Sequence, residues 1–311
     1  METQERKPAV SIIMAAYNRS NVLKYAVASV VRSTFADWEL LVIGDACTDD
    51  TAEVVASFND ARIRFVNLEK NIGEQSGPNN EGFRLAKGRY IAYLNQDDLW
   101  FPDHLEKSLR NIRETNADWV FSLGITSVNG TKCFLQGVCP DGVYDPLYRC
   151  GVSASLWLVK REILQELGGW RFYRKIRIVP SQDLLIRAWR SGKRICVTPS
   201  VTAIIIQSGS RVHAYAKRDF KENARYYERM CSEPGFRETE MLNAAFQREA
   251  DTMRRRLSFR YVFRDLVAVF CARIGLVFGI LPLELLFLLR YPNKGKFIDF
   301  LRKQRGLPLN K

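Results

Sequence analysis

Asp97 and Asp98 stand side by side just past the short apolar run Tyr90-Ile-Ala-Tyr-Leu94. Adjacent carboxylates at the end of a buried strand suit a hard divalent cation, which prefers oxygen ligands and neutralises charge on phosphate oxygens. Paired acids in a turn are common on protein surfaces, so their weight comes from what lies beside them. Tyr17 follows the apolar run Val10–Met14, and Asp45 follows Trp38–Ile43. In open α/β sheets ligands bind beyond the carboxyl ends of the strands. Tyr17, Asp45 and the Asn95–Asp98 cluster therefore converge on one crevice.

The elements that position them are legible in the hydrophobic periodicity. Strands are expected at Val10–Met14, Trp38–Ile43, Ile63–Asn67 and Tyr90–Leu94, with helices over Asn21–Ser33, Thr51–Phe58 and Asn80–Ala86. Strands alternating with helices at this spacing make parallel βαβ units. Past Leu105 the pattern becomes mixed. Strands are expected at Trp119–Ser122, Ser155–Val159 and Thr202–Gln207, and helices at Gln182–Arg190, Phe220–Met230 and Glu238–Arg256. Trp100 and Phe101 read as packing residues under the acidic turn, and His104 as a helix start.

The 311 residues suffice for one large catalytic domain with an appendage. The net charge of +13 implies an anionic partner. From Met253 to Lys311, thirteen Lys and Arg stand against Asp265, Glu284 and Asp299, so +10 of the charge lies in the last fifth of the chain. Nucleic acid is disfavoured as the partner, because no interleaved aromatic and basic surface occurs outside the hydrophobic tail. That tail holds Ile274–Leu289, sixteen apolar-rich residues broken by Pro282 and Glu284 and flanked by Arg and Lys. A spanning helix needs about 20 apolar residues, so the expectation is helices lying on an anionic membrane surface. A homodimer interface or a core helix is the alternative. Seven cysteines without a Cys-x-x-Cys pair argue against a zinc site and a disulfide framework. With a polar Met1–Pro8, this gives the expectation of a cytoplasmic protein, peripheral at the inner face of the cell membrane.

Four ordered stretches resemble family 2 glycosyltransferases, the inverting group with the GT-A fold. They are Ser11-Ile-Ile-Met-Ala-Ala-Tyr-Asn18; Leu40-Leu-Val-Ile-Gly-Asp-Ala-Cys-Thr-Asp-Asp-Thr51; Asn71-Ile-Gly73 through Asn80-Glu-Gly82 to Ala86-Lys-Gly-Arg-Tyr-Ile91; and Asn95-Gln-Asp-Asp-Leu-Trp-Phe-Pro-Asp-His-Leu105. Gly168-Gly-Trp170 and Gln182–Trp189 resemble the acceptor-side half less specifically. The resemblance implies a Rossmann-like nucleotide-binding half over residues 1–110 and a mixed-sheet acceptor half over 111–215. A helical, membrane-associating extension would follow over 216–311. It implies transfer of a sugar, hexosyl transfer being the expected class, from a nucleoside-diphosphate donor (a UDP-sugar favoured) to a hydroxyl of a lipid-linked or polysaccharide acceptor in cell-surface glycan synthesis.

Roles then follow by position. Ala15, Tyr17, Asn18, Asp45, Asn80 and Asp98 would surround the nucleotide, Asp45 at the base and Asp98 supporting the ribose or the metal shell. Asp97 would hold Mn2+ or Mg2+ with His213 as a further ligand, and Asp183 would be the general base. A carboxylate suffices there because the metal makes the diphosphate a good leaving group. Each residue has a structural alternative: Tyr17 as sheet-edge packing, Asp45 as a turn residue, Asp183 as a helix-dipole charge, His213 as a surface histidine. The chain departs from the family pattern at Asn95, Gly44, Gln182 and Asn79. The changes at Asn95 and Gln182 permit a second reading, a nucleotide-sugar-binding or scaffold protein without catalysis. An NAD-dependent enzyme fits poorly, since Ala15–Ser20 lacks the Gly-x-Gly-x-x-Gly that lets a pyrophosphate approach the backbone.

Overall fold

The computed structural model describes residues 7–128, 130, 132–139, 141–148, 151–208, 212, 213, 215, 221–256 and 259–309. Strands β1 (Val10–Ala16), β2 (Trp38–Gly44), β3 (Ile63–Asn67) and β4 (Tyr90–Tyr93) lie parallel in the order β3-β2-β1-β4. Helices α1 (Ser20–Val31), α2 (Thr51–Ala56) and α3 (Ser76–Leu85) make the crossovers. Strands β1, β2 and β4 read as near-continuous apolar runs because both faces of a parallel sheet are covered; β2 is buried at every position, whereas the edge strand β3 is only partly covered. At Gly82 of α3 an added Cβ would come within 2.5 Å of Ile13 Cγ2, so the missing side chain lets the helix lie directly on β1.

The sheet continues without a break into the second half. There β5 (Leu99–Trp100), α4 (His104–Glu114), β6 (Trp119–Val128), β7 (Lys132–Gln136), β8 (Trp157–Lys160), α5 (Arg161–Glu166), α6 (Pro180–Arg190) and β9 (Ile195–Ile206) follow. The whole order is β3-β2-β1-β4-β8-β6-β9-β5, with β7 beside β6. Strand β8 runs antiparallel to β4 and β6, while β6 and β9 are parallel, which makes the sheet mixed. Residue 110 falls within α4, and one sheet serves both sides of it. Tyr93, Trp119, Trp157 and Trp170 pack ring against ring where the two halves meet.

Two strands run well beyond the sequence expectation. Strand β6 runs on through Ser122, Gly124, Thr126 and Ser127, and β9 begins seven residues before Thr202. Several polar side chains are accommodated there by hydrogen bonds: Thr202 donates to Ser122 at 2.6 Å, and Tyr226, from the helix over Lys221–Ser232, to Ser127 at 3.0 Å.

Among the described residues, five further helices follow: α7 (Lys221–Ser232), α8 (Phe236–Arg256), α9 (Phe259–Val277), α10 (Pro282–Arg290) and α11 (Lys296–Arg305). The apolar run Ile274–Leu289 is divided between α9 and α10. Pro282 opens α10, and Glu284 accepts the Leu281 N–H while pairing with Arg190 of α6 at 2.7 Å. No helix among the described residues is long and apolar enough to cross a membrane. Leu266 and Phe270 of α9 are nonetheless 64% and 65% exposed, with Val262, Val269 and Val277 exposed on the same helix.

Candidate functional site

A cavity of about 610 Å³ opens at the carboxyl ends of β1, β2 and β4, within the range of sites for small organic ligands. Ala15 and Tyr17 line it from the end of β1, Asp45 from the end of β2, and Asn95–Asp98 from the turn after β4. Val179–Ser181 at the start of α6 and Ile205–Gln207 at the end of β9 close another side. The three strand-end clusters are thus brought together.

Their carboxylates have different surroundings. Asp98 is 1% exposed. Its oxygens accept the Ile206 N–H at 2.9 Å, the Ser155 hydroxyl at 2.5 Å and the Asn95 amide at 2.8 Å. Burial, and then the neighbouring charge of Asp97, push its pKa up to about 8 against the pull of those donors. Asp97 is more open. Its Oδ2 pairs with Arg19 at 3.2 Å and accepts the Ser208 hydroxyl at 2.5 Å, while Asn223 of α7 donates to its backbone carbonyl at 2.7 Å. Arg19 itself is 1% exposed, so this ion pair has little water to screen it. Among the described residues, no three His, Cys, Asp or Glu side chains gather as a metal set.

Asp45 accepts the backbone N–H groups of Ile72 and Gly73 at 2.6 and 2.7 Å and the Asn71 amide at 3.1 Å. Burial raises its pKa, opposed by those N–H groups and by the charge of Arg302. Beside it Glu74 reaches a pKa of about 7, again through burial first and the charge of Asp45 second among the causes that raise it. The family's first acid of this motif is replaced by Gly44 for a local reason. An added Cβ there would sit 2.5 Å from Asn67 Oδ1 and 3.0 Å from the Phe65 ring.

Other expected residues lie off the cavity wall. Asn80 spends both ends of its amide on the Trp170 backbone, at 2.9 Å each. Asn18, with φ of 45°, clasps Thr48 through its side chain and so ties the β1 turn to the loop after β2. Asp183 stands one turn into α6, just past the cavity-lining Ser181, and its carboxylate pairs with Arg187 at 2.8 Å and Arg171 at 3.6 Å. Gln182 turns instead to the Val152 carbonyl at 2.9 Å. His213 meets the end of α11, where its backbone N–H donates to the Gln304 carbonyl at 2.9 Å.

Sequence reasoning missed several contributors. Gln96 accepts the Tyr17 N–H at 3.0 Å and locks the first turn to the acidic one. Arg19 lies within the first turn, Ala15–Ser20, and that place was its only signal. Asn223 and Arg302 meet the site across separations of 126 and 229 residues, for which no local pattern exists.

Comparison with known proteins agrees with this geometry. Residues 11–131 match the family model described as Glycosyl transferase family 2. An Escherichia coli relative, UDP-Glc:alpha-D-GlcNAc-diphosphoundecaprenol beta-1,3-glucosyltransferase WfgD, is 31% identical over 157 residues. That alignment takes in 50% of this chain and 61% of WfgD, so each is matched over only part of its length. Among solved structures, Staphylococcus aureus TarS 1-349 in complex with UDP-GlcNAc superposes with a TM-score of 0.56 at 19% identity, over 78% of this chain and 69% of that one. The Pyrobaculum calidifontis mannosyltransferase PcManGT, in complex with GDP-Man and Mn2+, gives 0.52 at 17% identity, over 92% and 87%. The shared fold and the matched segment lead to one identification: residues 11–131 form a family 2 glycosyltransferase segment, set in a chain with the GT-A fold.

Proposed function

We propose that this chain is an inverting glycosyltransferase that moves a sugar from a nucleoside-diphosphate donor, a UDP-sugar being favoured, to a hydroxyl of a lipid-linked or polysaccharide acceptor. The observation that carries the proposal is the cavity at the ends of β1, β2 and β4, with Asp97, Tyr17 and Asp45 together on its wall. The names of WfgD and TarS, with their undecaprenol-linked and UDP-GlcNAc ligands, support a nucleotide-sugar donor and cell-surface glycan synthesis.

In this reading Ala15, Tyr17 and Asp45 bound the base, and Asp45 also holds the Asn71–Gly73 turn in place. Asp97 is the protein ligand for Mn2+ or Mg2+. A cation held there by Asp97 would supply positive charge to offset that of the departing diphosphate. The manganese in PcManGT supports that choice. With three donors already on it, Asp98 acts by fixing the turn that presents Asp97. Asp183 accepts the acceptor's hydroxyl proton as the oxygen attacks the anomeric carbon in line with the leaving diphosphate. Arg171 and Arg187 orient that carboxylate, and an acceptor hydroxyl displaces the longer Arg171 contact. The exposed apolar face of α9 and the basic tail hold the enzyme on an anionic membrane surface at the cytoplasmic side, where lipid-linked acceptors reside.

A second reading, a donor-binding protein without turnover, draws on the Arg19–Asp97 ion pair, which places a guanidinium where a cation would otherwise compete. A thermal-shift screen of nucleotide sugars with and without manganese tests the donor assignment. A UDP- or GDP-sugar raises Tm, more so with manganese, and Asp97→Ala removes the manganese increment. No rise with any nucleotide sugar would overturn the assignment.

A further inference from the structure

The cavity has an uneven charge lining. Asp45, Glu74, Asp97 and Asp98 all come from the sheet half. Among the described residues on its wall, the cationic side chains are Arg302 and Arg305, both on α11 near the end of the chain. An anionic diphosphate held among carboxylates requires positive charge, and Arg supplies it through paired, charge-assisted hydrogen bonds.

The two arginines are held differently. Arg302 is 4% exposed, and its guanidinium donates to the carbonyls of Gly73 and Pro308. Its charge also acts on Asp45 and Glu74. The same turn that grips Asp45 is thereby fastened to α11. Arg305 lies three residues on, on the same face of the helix, and is half-buried on the cavity wall. Phe297, Ile298 and Leu301 give that wall its apolar part.

We propose that α11 is a wall of the donor site, with Arg305 as its contact to the donor diphosphate and Arg302 as the positioning residue that docks the helix. The proposal rests on the donor reading above and adds to it a helix that lies far outside the segment shared with the family. It also assigns part of the basic tail to the donor rather than to a membrane.

Calorimetric titration of the full chain with UDP and GDP, and with uridine and guanosine, in the presence of manganese tests it. For whichever diphosphate the wild type binds, Arg305→Ala weakens binding about ten- to a hundredfold. The matching nucleoside binds unchanged, and Arg305→Lys recovers part of the loss. Arg302→Ala weakens nucleoside and diphosphate alike, with partial rescue by Arg302→Lys. An Arg305→Ala protein that binds the diphosphate as tightly as the wild type, or more tightly, overturns the proposal and leaves the donor reading standing. Equal loss of nucleoside and diphosphate in Arg305→Ala also overturns the diphosphate contact. A wild type that binds neither diphosphate brings down both readings together.

Discussion

His104 shows how strongly single side chains are committed around this sheet. Its ring stacks on Trp100 at 4.1 Å, and Nδ1 shares a 2.7 Å hydrogen bond with Thr202. Burial lowers its pKa to about 3, the charge of Asp103 opposing. A base with a depressed pKa must take up a proton on unfolding at mildly acid pH. Its contribution to stability is therefore fully present above the unfolded value of about 6.5 and is lost as pH falls from there toward about 3. Between pH 7.5 and 5, the wild type is expected to lose about 2 kcal/mol more unfolding free energy than His104→Gln. Urea titrations of both proteins at the two pH values check this, and equal losses would contradict a neutral buried imidazole. Asp97 and Asp98 make the same point about context. Adjacent in sequence, both border the cavity, yet Asp98 is enclosed by three donors while Asp97 is more open and pairs with Arg19.

At the scale of elements, the first half was legible because β1, β2 and β4 are buried almost throughout and β3 keeps its apolar Ile63, Phe65 and Val66. Strand β3 fell on its expected residues, and the starts of β1, β2 and β4 were found to the residue. Strand β5 is only Leu99–Trp100, and it exists because β9 lies beside it. No periodicity can be read from two residues. Helix α3 begins at Ser76 rather than Asn80, since Glu74 accepts the Ser76 N–H and starts the helix from a side chain outside the apolar pattern. The candidate site divides in the same way. Residues just past a strand, Tyr17, Asp45 and Asp97, could be placed from sequence, because strand ends fix where side chains emerge. Asn18 and Asn80 occupy the motif, yet they brace Thr48 and Trp170, a role that depends on partners far along the chain. The contribution of α11 was not legible at all, because its basic and apolar residues resemble any amphipathic helix until the fold lays them across the cavity.

At the scale of the whole molecule, the basic tail serves two surfaces in this account, α11 against the donor site and α9 against a membrane. Sedimentation with anionic phospholipid vesicles tests the second. The full chain is expected to partition with them, less so in high salt, and Leu266→Glu with Phe270→Glu should reduce partition several-fold. A doubly substituted protein that sediments like the wild type would remove α9 from the membrane contact. The central claim, sugar transfer at the strand-end cavity, is tested most directly by release of nucleoside diphosphate from the donor that stabilises the chain. Wild-type protein with manganese should turn the donor over, with Asp97→Ala and Asp183→Ala each reduced at least about a hundredfold while remaining folded. Turnover unchanged in Asp183→Ala would contradict its role as base, and turnover unchanged in Asp97→Ala would contradict the site itself.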